Sequence, residues 1–179
     1  MIYLMFGHSG MSRRERQRVG EALHRARQAA QDNDAFEQLE TLSPTATAQS
    51  RYMKDFAHCP PCRNTATQYY PLGEVAFEAM KAAMEQAEHY IFLEYFIVQP
   101  GKMWNEMLEI LQRKVAQGVD VRVIYDDMGC MFTLPYSYDR TLEKMGIRCS
   151  VFNPFRPVLS SRFNNRNHCK MTIVDGHTA

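Results

Sequence analysis

Short apolar runs alternate with segments of helical periodicity from residue 66 onwards, and this alternation restricts the chain to a small group of folds. After an extended stretch at 66–70, the pattern predicts helices at 74–88, 102–117 and 137–144, strands at 90–98, 119–125 and 147–152, and a last strand from His168. Strands that alternate with helices pair mainly in parallel, and helices then cover both faces of the sheet. The sequence therefore predicts an α/β domain over 66–179, with a mostly parallel or mixed sheet flanked by helices.

Residues 1–57 have a different pattern, which is typical of a helical lead-in. Ser12 and Glu15 have the spacing of a capping box, and apolar residues then recur at helical spacing up to Ala30. Asp34 and the pair Ser43-Pro44 favour two further helix starts.

Residues 58–65 are expected to be a connecting loop. They contain Cys59-Pro60-Pro61-Cys62, a single cysteine pair to which His58 adds one ligand at most. A structural zinc site usually has four ligands, so we predict a loop here and no metal site.

The composition gives no global sign of a charged partner. The 179 residues include 21 Lys and Arg against 20 Asp and Glu, a net charge of +1, which is too small to attract nucleic acid or a membrane over the whole surface. The five cysteines, an odd number, do not suggest a disulfide framework and are typical of a reduced, intracellular domain. Any partner must therefore be recognised by a local feature.

A polar loop enters the last predicted strand at residues 167–177, Asn-His-Cys-Lys-Met-Thr-Ile-Val-Asp-Gly-His. Side chains alternate between the two faces of a strand, so His168 and Lys170 share one face and Cys169 points to the other. A neutral imidazole is a nucleophile near pH 7, and a fixed cation can hold a phosphate oxygen. The pair therefore suits attack on a phosphodiester, a reaction for which we expect neither a metal nor another cofactor.

Two acidic residues are candidates for supporting this pair. Asp175 precedes Gly176 in a turn signal, and its side chain either faces the site or holds the turn and its neighbours. Glu94 interrupts an apolar strand, where an unpaired buried carboxylate is costly. Two roles are open for Glu94. It faces the site, where it orients His168 or pairs with Lys170, or its carboxylate bonds to a neighbouring backbone group or an arginine.

Two further features could contribute to a site. Asp126 and Asp127 end a predicted strand, where open α/β sheets bind ligands, although acidic residues there commonly cap the next turn, which is the interpretation that we favour. The loop at 154–167 combines cationic and aromatic residues, which suits a phosphate headgroup beside an acyl chain and also suits nucleic acid. These residues are Arg156, Arg162, Arg166, Phe155 and Phe163.

The spacing His-x-Lys-x-x-x-x-Asp, followed by Gly, resembles the HKD motif of the phospholipase D superfamily. Three upstream blocks, at 91–96, 118–130 and 151–157, are similar to those of bacterial cardiolipin synthases. The resemblance covers 66–179 and is weaker before that. It implies a phospholipase D-like fold and a phosphatidyltransferase that joins two phosphatidylglycerols and releases glycerol. His168 would form a phosphatidyl-histidine, Lys170 would stabilise the phosphate charge, and Asp175 belongs to the motif.

Two departures from that family bear on the expected activity. The residue between His and Lys is often Arg in the family but is Cys169 here, which should have a modest effect because it points away from the site. Family members continue with a Gly-Gly-x-Asn segment and a second half with another HKD motif. Residues 1–179 are therefore expected to supply one of two half-sites and to be largely inactive alone. The other half would come in cis or from a second chain.

The resemblance also implies partners and a location. The substrate would be phosphatidylglycerol on an anionic membrane surface, at the bacterial plasma membrane with the catalytic domain on the cytoplasmic side. Family members have hydrophobic segments just before this region, so Met1 is expected to be an internal residue of a longer chain. The basic run that begins at Arg13 would then follow a membrane helix.

Two other functions remain open from the sequence. One is a phosphodiesterase or nuclease in which two single-motif chains pair across a two-fold axis, whereas the main interpretation includes no nucleic acid. The other is an inactive fragment whose fold survives without chemistry.

Overall fold

The computed structural model describes residues 13–29, 33–57, 59–63, 65–155 and 166–179. Within this part of the chain the residues form two compact units, which meet in the sequence between Tyr69 and Tyr70. We call them the helical unit, up to residue 69, and the α/β unit, from residue 70 onwards.

The described part of the helical unit contains α1 (Arg13–Ala29), α2 (Asn33–Leu42), α3 (Pro44–Tyr52) and a π-helical turn (Met53–Ala57). Pro44 occupies the start of α3, and the Ser43 hydroxyl accepts a hydrogen bond from the Ala46 N–H at 3.2 Å. The predicted cap at Ser43 is thus confirmed. Ser12 and the side chains of Glu15 and Asp34 lie outside the described residues.

The described helices include none with both the length and the apolar character that crossing a membrane requires.

The α/β unit contains a four-stranded mixed sheet. Its elements are α4 (Gly73–Glu85), β1 (Tyr90–Tyr95), α5 (Lys102–Ala116), β2 (Asp120–Asp126), α6 (Asp127–Cys130), α7 (Tyr138–Lys144), β3 (Arg148–Phe152) and β4 (Lys170–Val174). The strands lie in the order β3-β2-β1-β4. β1, β2 and β3 are parallel and β4 is antiparallel to β1. The predicted α/β fold with a mixed sheet is confirmed, and most elements begin and end within a few residues of their predicted limits.

The described helices of the α/β unit pack against one face of the sheet. Alternate residues of β1 and β2 on this face, such as Leu93 and Val123, are buried and join side chains from α4, α5 and α7 in one core. On the other face Ile124 and Met171 are 37% and 42% exposed. Within the described part of the α/β unit, the expectation that helices cover both faces is therefore wrong.

The strand order gives the physical reason for this one-sided packing. β1, β2 and β3 follow one another across the sheet, and each parallel connection passes through a helix. Such connections are right-handed, so two successive ones that step in the same direction place α5 and α7 on the same side. The sequence pattern alone does not reveal the direction of these steps.

A buried hydrogen bond joins the two crossover helices. The Trp104 indole N–H donates to the Tyr138 hydroxyl at 2.8 Å. The two side chains are only 6% and 9% exposed, so water cannot readily replace either partner, and the bond fixes α5 against α7.

Tyr138→Phe is expected to lower the free energy of unfolding by about 1–2 kcal/mol, because it removes the partner of a buried indole N–H. Urea unfolding of the purified chain measures this loss. Tyr136→Phe is the matched control, since it removes the same hydroxyl from a side chain that is fully exposed and should change stability by less than about 0.5 kcal/mol. Equal effects of the two substitutions would contradict the structural role of the bond.

Candidate active site

His168 and Lys170 lie at the carboxyl edge of the sheet, the edge at which the parallel strands β1, β2 and β3 end. Lys170 begins β4 and pairs with Tyr95, the last residue of β1. Both side chains are exposed and contact the ring of Phe96. The His168 imidazole meets that ring edge-on with 4.8 Å between centroids, and Lys170 Nζ lies 5.6 Å from the ring centroid. Both groups thus lie against the same ring, although β4 begins only at Lys170 and His168 precedes the strand.

The ammonium of Lys170 is positioned by two contacts. Nζ donates a hydrogen bond to the backbone carbonyl of His168 at 2.9 Å, and the Phe96 ring attracts the cation through its negative face. A lysine ammonium has three N–H donors. One is used here, so the group can still bind an oxyanion placed beside the imidazole.

Asn167 fixes the loop on both sides of His168. Its backbone N–H donates to Asp126 Oδ2 at 3.2 Å, and its side-chain carbonyl accepts from the Cys169 N–H at 3.0 Å. Its side-chain amide donates to the carboxylate of Glu94. Sequence reasoning missed Asn167, although its place directly before His168 in a polar loop was a usable signal.

Glu94 supports the site through this contact with Asn167. In the sheet Glu94 pairs with Met171, and its neighbour Tyr95 pairs with Lys170, so Glu94 points to the opposite face from Lys170. The sequence left open a site residue, a backbone group or an arginine as its partner. The structure gives another partner, the amide of Asn167.

Asp126 is the most buried acidic residue described, at 1% exposure, and it lies at the end of β2. It accepts a hydrogen bond from the Gly129 N–H at 3.0 Å and so caps α6, as the favoured interpretation predicted. It also accepts from Arg166 Nη1 at 3.3 Å and from the Asn167 N–H. A carboxylate that is buried away from water requires such hydrogen-bond partners. Here the partners tie the loop before β4 to the end of β2.

In the loop at 154–167, which was predicted to suit a phosphate headgroup, the described residues make contacts that hold the loop in place. Arg166 binds Asp126 and donates to the Asn153 carbonyl at 2.9 Å, and Asp127 accepts from the Phe155 N–H at 2.6 Å. Arg166 therefore anchors the loop. Arg156, Arg162 and Phe163 lie outside the described residues.

Asp175 lies just past the other end of β4, a strand whose five residues span roughly 13 Å. It has a positive φ of 50°, and its carboxylate accepts hydrogen bonds of 2.7–2.9 Å from three consecutive backbone N–H groups that lead into β1. The bonds from Glu88, Tyr90 and His89 lower the pKa of Asp175 to about 2. Of the two roles left open, the geometry favours the structural one, and the place of Asp175 among the catalytic residues stays a prediction.

Comparison with known proteins identifies relatives of this chain. An uncharacterized protein of Streptococcus mutans is 43% identical over 130 residues, which are 73% of this chain and 28% of that protein. A cardiolipin synthase of Oceanobacillus iheyensis is 34% identical over 115 residues, 64% of this chain and 24% of that protein. A cardiolipin synthase of Halalkalibacterium halodurans is 30% identical over 188 aligned positions, 98% of this chain and 35% of that protein.

The chain thus spans between about a quarter and a third of the length of these curated relatives. No family model matches it.

Asp175→Asn is expected to lower the stability of the chain at pH 7 and to flatten its pH dependence in acid. The pKa of about 2 in the folded chain lies below the ordinary value of about 3.9. The stabilisation is therefore fully present above about pH 4 and is lost as the pH falls towards 2. Urea unfolding between pH 7 and pH 2.5 measures both effects. Glu109→Gln, which neutralises an exposed carboxylate on α5, is the control and should leave the acid slope intact.

Gly129→Ala is expected to displace Phe96 and the two side chains that contact it. A Cβ at residue 129 would overlap the backbone carbonyl oxygen of Phe96 and lie 3.0 Å from its ring. We expect a loss of stability of about 1–3 kcal/mol and shifted NMR signals of the His168 imidazole. Gly73→Ala, where the added Cβ meets nothing within 4 Å, should change neither. Unchanged His168 signals in the Gly129 variant would contradict the role of Phe96 as a support.

Proposed function

Because this chain is a cardiolipin synthase-like protein, we propose that it supplies one half-site of a phosphatidyltransferase that joins two phosphatidylglycerols. The observation that carries this proposal is the exposed pair of His168 and Lys170 on the ring of Phe96. A nucleophilic nitrogen and a fixed cation side by side are the groups that attack on a phosphodiester requires.

The reaction proceeds in two displacements. A ring nitrogen of His168 attacks the phosphorus of the first phosphatidylglycerol, and the bond to the glycerol oxygen breaks. Glycerol leaves with a proton from a general acid. A hydroxyl of the second phosphatidylglycerol then attacks phosphorus, loses its proton to the same group and breaks the bond to His168. Lys170 stabilises the negative charge of the phosphoryl oxygens in both steps.

The general acid is the part that this half-site does not supply. The α/β unit has three histidines, His89, His168 and His177, and both His89 and His177 lie at the opposite edge of the sheet beside Asp175. The matching histidine of a second motif, in cis or on a second chain, would serve as acid and then as base.

The contacts around Asn167 support the proposal, because catalysis by positioned groups depends on their exact geometry. Asn167 holds the backbone on both sides of His168 through Asp126 and Cys169. Asp175 contributes at a distance by fixing the start of β1 against the end of β4.

We also infer a membrane location from the likeness to cardiolipin synthases, whose named product is a lipid. The enzyme would act at the bacterial plasma membrane with its catalytic domain on the cytoplasmic side. The helical unit, whose helix α1 begins with the basic run from Arg13, would be the membrane-proximal lead-in and would face anionic headgroups.

The outward exposure of His168 also fits a second candidate function. Two copies of this chain could bring their His168 residues together across a two-fold axis and act as a phosphodiesterase or nuclease. A sizing column and a single-stranded DNA cleavage assay distinguish this enzyme from the half-site. A chain that is monomeric and forms no covalent intermediate on His168 would be an inactive fragment.

A phosphodiester whose leaving group departs without protonation tests the half-site directly. With bis(p-nitrophenyl) phosphate we expect a burst of one p-nitrophenolate per chain, because the nucleophile is present and this leaving group needs no acid. Little turnover should follow, because the base that would activate water for the second step is missing. Mass spectrometry should find the remaining p-nitrophenyl phosphoryl group on His168. His168→Asn should abolish the burst, and Lys170→Met should slow it by about 100-fold or more. His177→Asn is the matched control and should react normally.

Continuous turnover of phosphatidylglycerol to cardiolipin by this chain at the rate of a complete enzyme would contradict the half-site. A burst that survives in the His168 variant would contradict the assigned nucleophile.

A further inference from the structure

The segment from Phe96 to Val98 carries the aromatic support of the candidate site but belongs to no strand or helix. β1 ends at Tyr95, and α5 begins only at Lys102. The backbone groups of 96–98 therefore lack the regular partners that strand residues have. Val98 is nevertheless only 4% exposed, so water cannot readily bond to its N–H and carbonyl. A buried backbone group without a partner is costly, and this segment therefore requires partners from elsewhere in the chain.

Two side chains at the end of α6 and just after it supply these partners. The Cys130 sulfur accepts a hydrogen bond from the Val98 N–H at 3.2 Å and donates one to the Phe96 carbonyl at 3.6 Å. The Thr133 hydroxyl donates to the Val98 carbonyl at 2.6 Å. We use the name loop clamp for Cys130 and Thr133. The loop clamp joins the turn that follows β2 to the segment that follows β1.

The Cys130 thiol makes both of its bonds at once because it keeps its proton. Cys130 is 3% exposed, and burial raises the pKa of its thiol above the ordinary value. At neutral pH the sulfur thus carries the one hydrogen that it donates to the Phe96 carbonyl, and its lone pairs accept from the Val98 N–H. Because Cys130 and Val98 are both buried, their bond does not depend on what contacts the exposed edge of the sheet.

The loop clamp acts on the residue that both reacting groups contact. The Phe96 ring meets the His168 imidazole and lies beneath the ammonium of Lys170. Gly129 approaches the Phe96 carbonyl so closely that an added Cβ would overlap it. Gly129 therefore stops the Phe96 backbone from moving towards α6, and the bond from Cys130 stops it from moving away. The ring is thus attached to a backbone that is held from both directions.

We propose that Cys130 and Thr133 are positioning residues of the phosphodiester site, and that they act on His168 and Lys170 through the backbone of Phe96. The inference rests on the proposed function, because it assigns the loop clamp to the reaction of that same pair. A displacement of about 1 Å in a reacting group can slow a reaction by about 100-fold. A small shift of the Phe96 ring is therefore expected to change the reaction rate even where the fold is intact.

The contacts of Cys130 distinguish it from a cysteine that only fills space. A free buried cysteine often serves as a small apolar side chain. Here both polar contacts of the sulfur go to the backbone of one loop, and Thr133 bonds to the same loop. Cys149 provides the contrast, since it also packs against the core but belongs to β3, which β2 separates from β1. Cys149 is therefore a matched control for Cys130.

Alanine and serine at residue 130 test the proposal as a pair, because both lose the volume of the sulfur and only serine keeps a donor and an acceptor. With bis(p-nitrophenyl) phosphate, Cys130→Ala should lower the rate constant of the p-nitrophenolate burst by about 10-fold or more. Cys130→Ser should keep this rate constant within about threefold of the unaltered chain. Cys149→Ala should leave it unchanged. Thr133→Val, which removes the hydroxyl at nearly constant volume, should slow the burst by at least about threefold.

A second measurement separates positioning from a general loss of structure. The NMR signals of the His168 imidazole depend on the position of the Phe96 ring, which the imidazole meets edge-on. They should shift in Cys130→Ala and return close to their original positions in Cys130→Ser. The imidazoles of His89 and His177 lie at the opposite edge of the sheet, so their signals should not move in either variant.

Equal effects of Cys130→Ala and Cys130→Ser on the burst and on the His168 signals would overturn the inference, because only the bulk of the sulfur would then matter. Should Cys130→Ala not fold, Thr133→Val carries the same test, and an unchanged burst rate and unchanged His168 signals in that variant would overturn the inference.

The two measurements also keep the two proposals apart. If the unaltered chain gives no burst but Cys130→Ala still shifts the His168 signals selectively, only the proposed reaction is contradicted. If the unaltered chain gives the burst and Cys130→Ala changes neither its rate nor those signals, only the positioning role is contradicted.

Discussion

The candidate site depends on the hydrogen bonds that the buried carboxylate of Asp126 accepts. It lies at the end of β2 and accepts hydrogen bonds from Gly129, Arg166 and Asn167. Because β1 separates β2 from β4 in the sheet, these bonds cross the end of β1. A carboxylate removed from water is stable only when its oxygens are bonded, so the three partners are held to one point and the loop with His168 is held with them.

The same cluster sets the position of Phe96. The Gly129 N–H donates a hydrogen bond to Asp126, which caps α6. Gly129 also approaches the backbone of Phe96 so closely that no side chain fits between them. Phe96 in turn contacts both His168 and Lys170. The two exposed groups proposed to act on a phosphodiester therefore rest on a support that is itself fixed by a buried hydrogen-bond network. This arrangement reconciles an open site with a defined geometry.

The two edges of the sheet carry different kinds of residues. The carboxyl edge carries His168 and Lys170, the two residues proposed to act on a phosphodiester. At the opposite edge Asp175 satisfies three backbone N–H groups and joins the turn after β4 to the start of β1. Asp175 and the pair of His168 and Lys170 belong to one sequence motif but lie at opposite edges of the sheet, because an extended strand carries its two ends far apart.

The sequence by itself determined the order and type of the elements, since hydrophobic periodicity is a local property. It also predicted that His168 and Lys170 project to one side, because residues two apart on a strand share a face, and both side chains contact the ring of Phe96 in the structure. The tertiary structure decided the partners of Glu94 and Asp175, the part played by Asn167, and the single covered face of the sheet. Those features depend on strand order, crossover handedness and contacts between segments distant in sequence, such as Asp126 with Asn167, and local patterns carry no information about them.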